Sequence, residues 1–179
     1  LFVGNFIKEK GADVAMDVAM NIIAKRSDAK FVFVGNIFGD YKHRDTMQSR
    51  KNALLRTGMA SFMSNLGGAD LVKAYQKASI LLLPSKYEAF SRVLAEAQSC
   101  GCAIAATRVG GVPEVVSDGK AGFLSDYGDW RSLEENVCFL LDNPAEAKKM
   151  GANGSRFVRK NFECSIIIKR LEAIYGELL

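Results

Sequence analysis

From Leu81 to Gly119 the chain reads LLLPSKYEAFSRVLAEAQSCGCAIAATRVGGVPEVVSDG, and no other stretch limits the possible folds as much. It continues an apolar run, Ile80 to Leu83, that Pro84 stops, the pattern of a buried strand ending in a turn. A polar loop carrying Glu88 comes next. A helix is then predicted over about Ser91 to Cys100, closed by Gly101. The next apolar run, Cys102 to Ala106, reads as a second strand before Gly110, Gly111 and Pro113 break the chain again. Two strands around one helix make a βαβ unit. Its loops put Glu88 and two glycines at the carboxyl ends of the strands, the edge where open parallel sheets bind their ligands.

The same alternation runs through most of the chain. Strands are predicted over Leu1–Gly4, Lys30–Gly35, Ala60–Met63 and Gly122–Leu124. Helices are predicted over Asp13–Lys25, Asp45–Arg56, Asp70–Lys77, Asp129–Leu141, Ala145–Arg159 and Ser165–Leu178. This is the pattern of an α/β fold, a Rossmann-like three-layer α/β/α domain with a mainly parallel sheet. No linker, repeat or low-complexity segment divides it, so residues 1–179 read as one domain with enough chain for a sizeable core.

Composition excludes several classes. Apolar residues make up 49% and charged residues 25%, the balance of a folded globular protein. No apolar run approaches the ~20 residues that cross a bilayer. The formal charge of +4 is modest, and its cations are dispersed apart from Lys42-His43-Arg44 and Arg50-Lys51. Without aromatic interleaving this reads as a solvated face, and no nucleic-acid partner is expected. The 4 cysteines and single histidine form no spaced metal set, so no metal site is expected and the thiols read as reduced. The chain opens in Leu1-Phe2-Val3 with neither Met nor signal sequence, as expected of a piece of a longer protein.

Several residues have the chemistry of a site. Taken alone, Glu88 and Glu96 read as solvent-facing charges. Their setting points further, with Glu88 in a loop after a strand and Glu96 off the helix face made by Val93, Leu94 and Ala97. A carboxylate suits the paired hydroxyls of a ribose, because it accepts two charge-assisted hydrogen bonds. The backbone N–H groups from Phe90 to Val93 open the helix and can receive a phosphate; Ser91 reads either as an ordinary cap or as a phosphate donor. Gly35 to Gly39 is a weak glycine loop, and Gly4 and Gly11 do not reproduce the dinucleotide fingerprint. Gly110 and Gly111 permit close backbone approach. Lone His43 reads as a surface residue and Trp130 as packing.

The residues Pro84, Ser85, Glu88, Ala89, Phe90, Ser91, Glu96, Ala97, Gly110, Gly111, Pro113, Glu114, Val115, Asp118, Gly119 and Gly122 stand in the order of a known signature. This stretch resembles the donor-binding, C-terminal half of retaining nucleotide-sugar glycosyltransferases of the two-Rossmann-domain (GT-B) architecture, family 4. The resemblance implies that Glu96 holds the ribose and that Glu88 lies near the donor sugar. It also matches GNFIKEKG, Gly4 to Gly11, to a phosphate clamp of Gly-Arg, four residues, Lys-Gly. Lys10 stands at the lysine, but Asn5 replaces the arginine, removing one of two expected cations. Ala89 and Ser91 replace the two glycines of the signature, each adding a small side chain.

The resemblance brings a set of expectations with it. The donor site comprises Gly4, Asn5, Lys10, Gly35, Glu88, Ala89, Phe90, Ser91, Arg92, Val93, Glu96, Gly110 and Gly111, with Lys10 and Glu88 closest to the chemistry. Arg92 either replaces part of the missing positive charge or points to solvent or pairs with Glu88 or Glu96. The donor is a UDP-, GDP- or ADP-linked sugar, with no cofactor. The acceptor is a glycan, glycolipid or small hydroxyl compound held by an absent N-terminal domain. The parent enzyme is placed in the cytoplasm or at the inner face of the membrane, with peripheral association open, and polysaccharide or glycolipid synthesis as its pathway class. The fragment by itself should bind but hardly turn over. Three other readings are carried beside it: a noncatalytic nucleotide-sugar-binding or scaffold module, an NAD-dependent Rossmann enzyme and a nucleic-acid-binding protein.

Overall fold

The computed structural model describes residues 1–64 and 66–178. Among these residues, six short strands alternate with eight helices: β1 (Phe2–Val3), α1 (Ala12–Lys25), β2 (Phe31–Val34), α2 (Tyr41–Arg56), β3 (Ala60–Met63), α3 (Gly68–Lys77) and β4 (Ile80–Leu83) come first. After them stand α4 (Arg92–Ser99), β5 (Ala103–Thr107), α5 (Val112–Val115), β6 (Gly122–Ser125), α6 (Trp130–Asp142), α7 (Pro144–Phe162) and α8 (Cys164–Leu178). A 3-10 turn, Lys8–Lys10, lies between β1 and α1.

The strand pairs are parallel, in two groups of three ordered β1-β2-β3 and β4-β5-β6. Phe2 faces Phe33 in register, and Ile80 faces Ala103. The groups meet at Leu1, whose nitrogen donates to Ile80 O (2.9 Å) and whose carbonyl accepts from Leu82 N (2.8 Å). Two bonds flanking one residue are the parallel ladder pattern. The strands therefore run β3-β2-β1-β4-β5-β6, the doubly wound order that reverses direction between β1 and β4.

The strands are too apolar to leave either face wet, and β4 and β5 are buried at every residue. Alternate side chains enter opposite cores. Phe2, Phe33, Ile80, Leu82, Ala103 and Ala105 pack against α1, α2 and α6. Val3, Val34, Leu81, Leu83, Ile104 and Ala106 pack against α3, α4 and α5. These are the three layers that the strand–helix alternation predicts.

Helix α2 begins four residues earlier than the apolar pattern suggests. Asp40 accepts a hydrogen bond from the His43 N–H (2.8 Å), and this cap starts the helix at Tyr41 despite a polar first turn. His43 is correspondingly not a free surface residue: it is half-buried, with ring Nε2 2.9 Å from Phe6 O. The other helices predicted from the sequence agree with expectation to within two residues at each start. Trp130 meets Tyr127 edge to face, as packing. All four cysteines are free thiols.

Candidate functional site

Four loops leave the carboxyl ends of β1, β2, β4 and β5 at the point where the strand order reverses. Close backbone contacts hold them together. A Cβ on Gly35 would overlap Gly4 O, and one on Gly11 would overlap Pro84 O. Lys86 N donates to Glu9 O (2.9 Å), tying the β4 loop to the β1 loop. Gly110 has φ +49°, and any side chain there would strike the Glu88 carbonyl oxygen; that oxygen accepts from Gly111 N at 3.0 Å. A left-handed backbone and no room for Cβ together require glycine at 110.

Glu88 is the centre of this convergence. Its side chain is 6% exposed, far from the solvent-facing charge its residue type suggests. One carboxylate oxygen, Oε1, accepts from Lys10 Nζ and from Ser85 Oγ, both at 2.8 Å. Ser85 is in turn fixed by Thr107, whose hydroxyl donates to Ser85 O. A carboxylate so buried requires such partners, and Lys10 supplies the opposite charge across the two halves of the sheet. Lys10 remains about a third exposed, so it can also face a ligand.

Beside Glu88, α4 starts at Arg92 rather than Ser91, and Phe90 lies in the turn before it. Ser91 holds the N-cap position with φ 60°, ψ 80°, and makes no side-chain cap bond. Its hydroxyl is buried without a partner. The ordinary-cap reading of Ser91 is therefore corrected: an N-cap residue normally adopts extended backbone to turn its oxygen toward the helix N–H groups, and a left-handed φ prevents this. Val93 packs its side chain on the core, which leaves its backbone as the part available to a ligand.

Glu96 and Arg92 share the next face of α4. Both line a cavity of about 880 Å³ between α3, α4, α7 and the start of α8. Glu96 is exposed, as its place off the apolar stripe predicts, and Glu96 Oε2 accepts from Tyr75 OH at 2.9 Å. The Tyr75 ring is buried, and burial together with the Glu96 charge raises the phenol well above its ordinary pKa. It thus stays a donor at any physiological pH. Arg92 is exposed and pairs with neither glutamate. Asn5 is exposed at the β1 edge, its carbonyl accepting from Ile7 N (2.9 Å).

The structure thus gathers Gly4, Lys10, Gly35, Glu88, Ala89, Ser91, Gly110 and Gly111 at one edge. Phe90, Arg92 and Glu96 line the neighbouring cavity. Sequence reasoning gave no role to Thr107 and Tyr75. Thr107 ends an all-apolar strand, a visible anomaly; Tyr75 sits on the α3 core stripe and gave no signal. Among the described residues, no three His, Cys, Asp or Glu side chains gather as a metal-binding group, and no helix is long and apolar enough to cross a membrane.

Comparison with known families agrees with this architecture. The pattern of the family described as glycosyl transferases group 1 matches residues 1–157. This chain belongs to that family. One relative, an uncharacterized glycosyltransferase of Methanocaldococcus jannaschii, is 31% identical over 99% of this chain and 48% of its own length. Among solved structures, Anabaena HepE in complex with UDP-glucose superposes with TM-score 0.81 at 21% identity, covering 98% of this chain and 48% of that one. The C-terminal domain of a group 1 protein from Francisella tularensis superposes with TM-score 0.79 at 20% identity, over 91% of this chain and 85% of that one. The fold is that of the C-terminal half of a GT-B glycosyltransferase. The chain spans about half the length of the curated relatives it matches.

Proposed function

We propose that this group 1 chain is the donor-binding half of a retaining glycosyltransferase that moves a sugar from a nucleoside diphosphate to an acceptor hydroxyl. The observation that carries this reading is the Lys10–Glu88 pair, built at the strand-order reversal and adjoining the N-terminus of α4. When the glycosidic bond breaks, negative charge develops on the departing diphosphate. The Lys10 ammonium and the free N–H groups at the start of α4 would stabilise that charge where it forms. The buried, unpaired Ser91 hydroxyl is a further donor at the same point. Glu88 holds Lys10 in place and lies near the sugar. The leaving phosphate takes the acceptor proton, and the acceptor attacks on the face the leaving group vacates.

Neutral Asn5 removes a cation from the β1 side. Arg92, exposed and unpaired in the first turn of α4, supplies part of the replacement: helix side chains lean toward the N-terminus, toward the phosphate position. Glu96 takes the ribose hydroxyls. Relatives bear the names of sugar-transfer enzymes, among them N-acetyl-alpha-D-glucosaminyl L-malate synthase of Bacillus anthracis, 28% identical, and the HepE structure holds UDP-glucose. These names favour a nucleoside-diphosphate sugar as donor; a cytoplasmic enzyme of polysaccharide or glycolipid synthesis is the context we propose for it.

Calorimetry with UDP-, GDP- and ADP-sugars, NAD and an oligonucleotide tests the reading. One nucleotide sugar should bind, and Lys10→Ala should weaken it about tenfold or more, the scale of one charge-assisted contact. Binding of NAD or the oligonucleotide in preference to every nucleotide sugar would overturn it. Asn5 specifically favours a second reading, a noncatalytic binding module, which shares donor binding but would show no sugar transfer in a longer protein carrying an acceptor half.

A further inference from the structure

Glu96 and Arg92 stand one helical turn apart on one face of α4, carry opposite charges and line the same cavity, yet they form no ion pair. Residues so spaced ordinarily attract each other. The carboxylate is held instead by Tyr75 of α3, whose hydroxyl donates to Oε2 at 2.9 Å. Its ring is 1% exposed and belongs to the core beneath α4, so the hydroxyl is presented from a fixed position. Tyr75 is anchored at its backbone as well, its carbonyl accepting from the buried Cys102 thiol.

We infer that Tyr75 is a positioning residue for ribose recognition: its hydroxyl orients Glu96, leaves Oε1 open to the sugar hydroxyls and keeps the carboxylate from collapsing onto Arg92. The inference rests on the reading of Glu96 as the ribose contact and extends it to a residue outside the signature. A carboxylate oxygen engaged by a phenol is held in one rotamer before the ligand arrives, so less freedom is lost on binding. The arrangement also separates two tasks. Arg92 stays free for phosphate, whereas Glu96 stays free for ribose.

The test is a double-mutant cycle on Tyr75→Phe and Glu96→Gln. Affinity is measured by calorimetry for UDP, GDP and ADP, for the 2′,3′-dideoxy form of whichever binds, and for pyrophosphate. Tyr75→Phe removes one oxygen and leaves the buried ring; its former partner is exposed, so no buried group is orphaned and the fold is retained. The variant should lower the preference for ribose over dideoxyribose about five-fold and leave pyrophosphate affinity unchanged. In the Glu96→Gln background the same change should add nothing, because Tyr75 acts only through that carboxylate. Equal losses from Tyr75→Phe in both backgrounds, or on pyrophosphate as well, would reduce Tyr75 to packing and overturn the inference. If Glu96→Gln alone abolishes ribose preference and Tyr75→Phe leaves it intact, Tyr75 fails while the Glu96 reading stands. If Glu96→Gln leaves the preference intact, the Glu96 reading falls and takes the inference with it.

Discussion

Ser91 is the one non-glycine residue with positive φ among the described residues. The left-handed conformation costs an L-residue about 1–2 kcal/mol, and its unpaired buried hydroxyl adds to this. Ser91→Gly should therefore raise stability by about 1 kcal/mol in urea denaturation, while weakening binding of a nucleoside diphosphate if the hydroxyl meets phosphate. A gain in stability without a change in affinity would remove Ser91 from the site. Arg92→Ala should weaken a diphosphate ligand by ~1–3 kcal/mol and leave the matching nucleoside nearly unaffected. Equal losses on both would point to ribose recognition or packing. At this scale the sequence made residue identity legible but not conformation. Glycine is expected at position 91 from the signature; that Ser91 takes a left-handed backbone, and so cannot cap, is not readable from a serine's own preferences. Burial of Glu88 was hidden for the same reason, since Lys10, 78 positions away, is what makes it tolerable.

Helix α7 crosses α4 closely because two of its residues have no side chain. A Cβ on Gly151 would overlap Gly101 O, and one on Gly154 would come 2.8 Å from the Gln98 amide oxygen. Alanine is the better helix former by about 1 kcal/mol, so propensity alone predicts that Gly151→Ala stabilises. Packing predicts the opposite, a loss of about 1–3 kcal/mol, because the struck atom is backbone and cannot turn away. Gly176 in α8 is the control. Nothing lies within 4 Å of its Cβ position, so Gly176→Ala should stabilise by about 0.5–1 kcal/mol in the same thermal denaturation. No loss of stability from Gly151→Ala would show that the approach of α7 is looser than these positions imply, and loss from Gly176→Ala would show that the control position is not free. Helix α7 was legible from its apolar spacing in spite of these glycines. The early start of α2 was not, because Tyr41 to Arg44 show no periodicity and the Asp40 cap acts through a single side chain.

The chain as a whole should unfold in one cooperative transition. Strand residues from both halves of the sheet, such as Phe33 and Ala105, share one core beneath α1 and α6, so neither half can be uncovered alone. Calorimetric and van't Hoff enthalpies that disagree would contradict this. Strand and helix alternation made the α/β class legible; the order β3-β2-β1-β4-β5-β6 was not, because it depends on which edge β4 joins. That junction is narrow: β1 is two residues long, and the ladder to β4 passes through Leu1. Above it, Lys10 reaches from one half of the sheet to Glu88 on the other. A diphosphate lying between Lys10 and the first turn of α4 would act as a clasp over a short hinge, so its affinity would appear twice: once as binding, and once as resistance of the whole sheet to being pulled open along its middle.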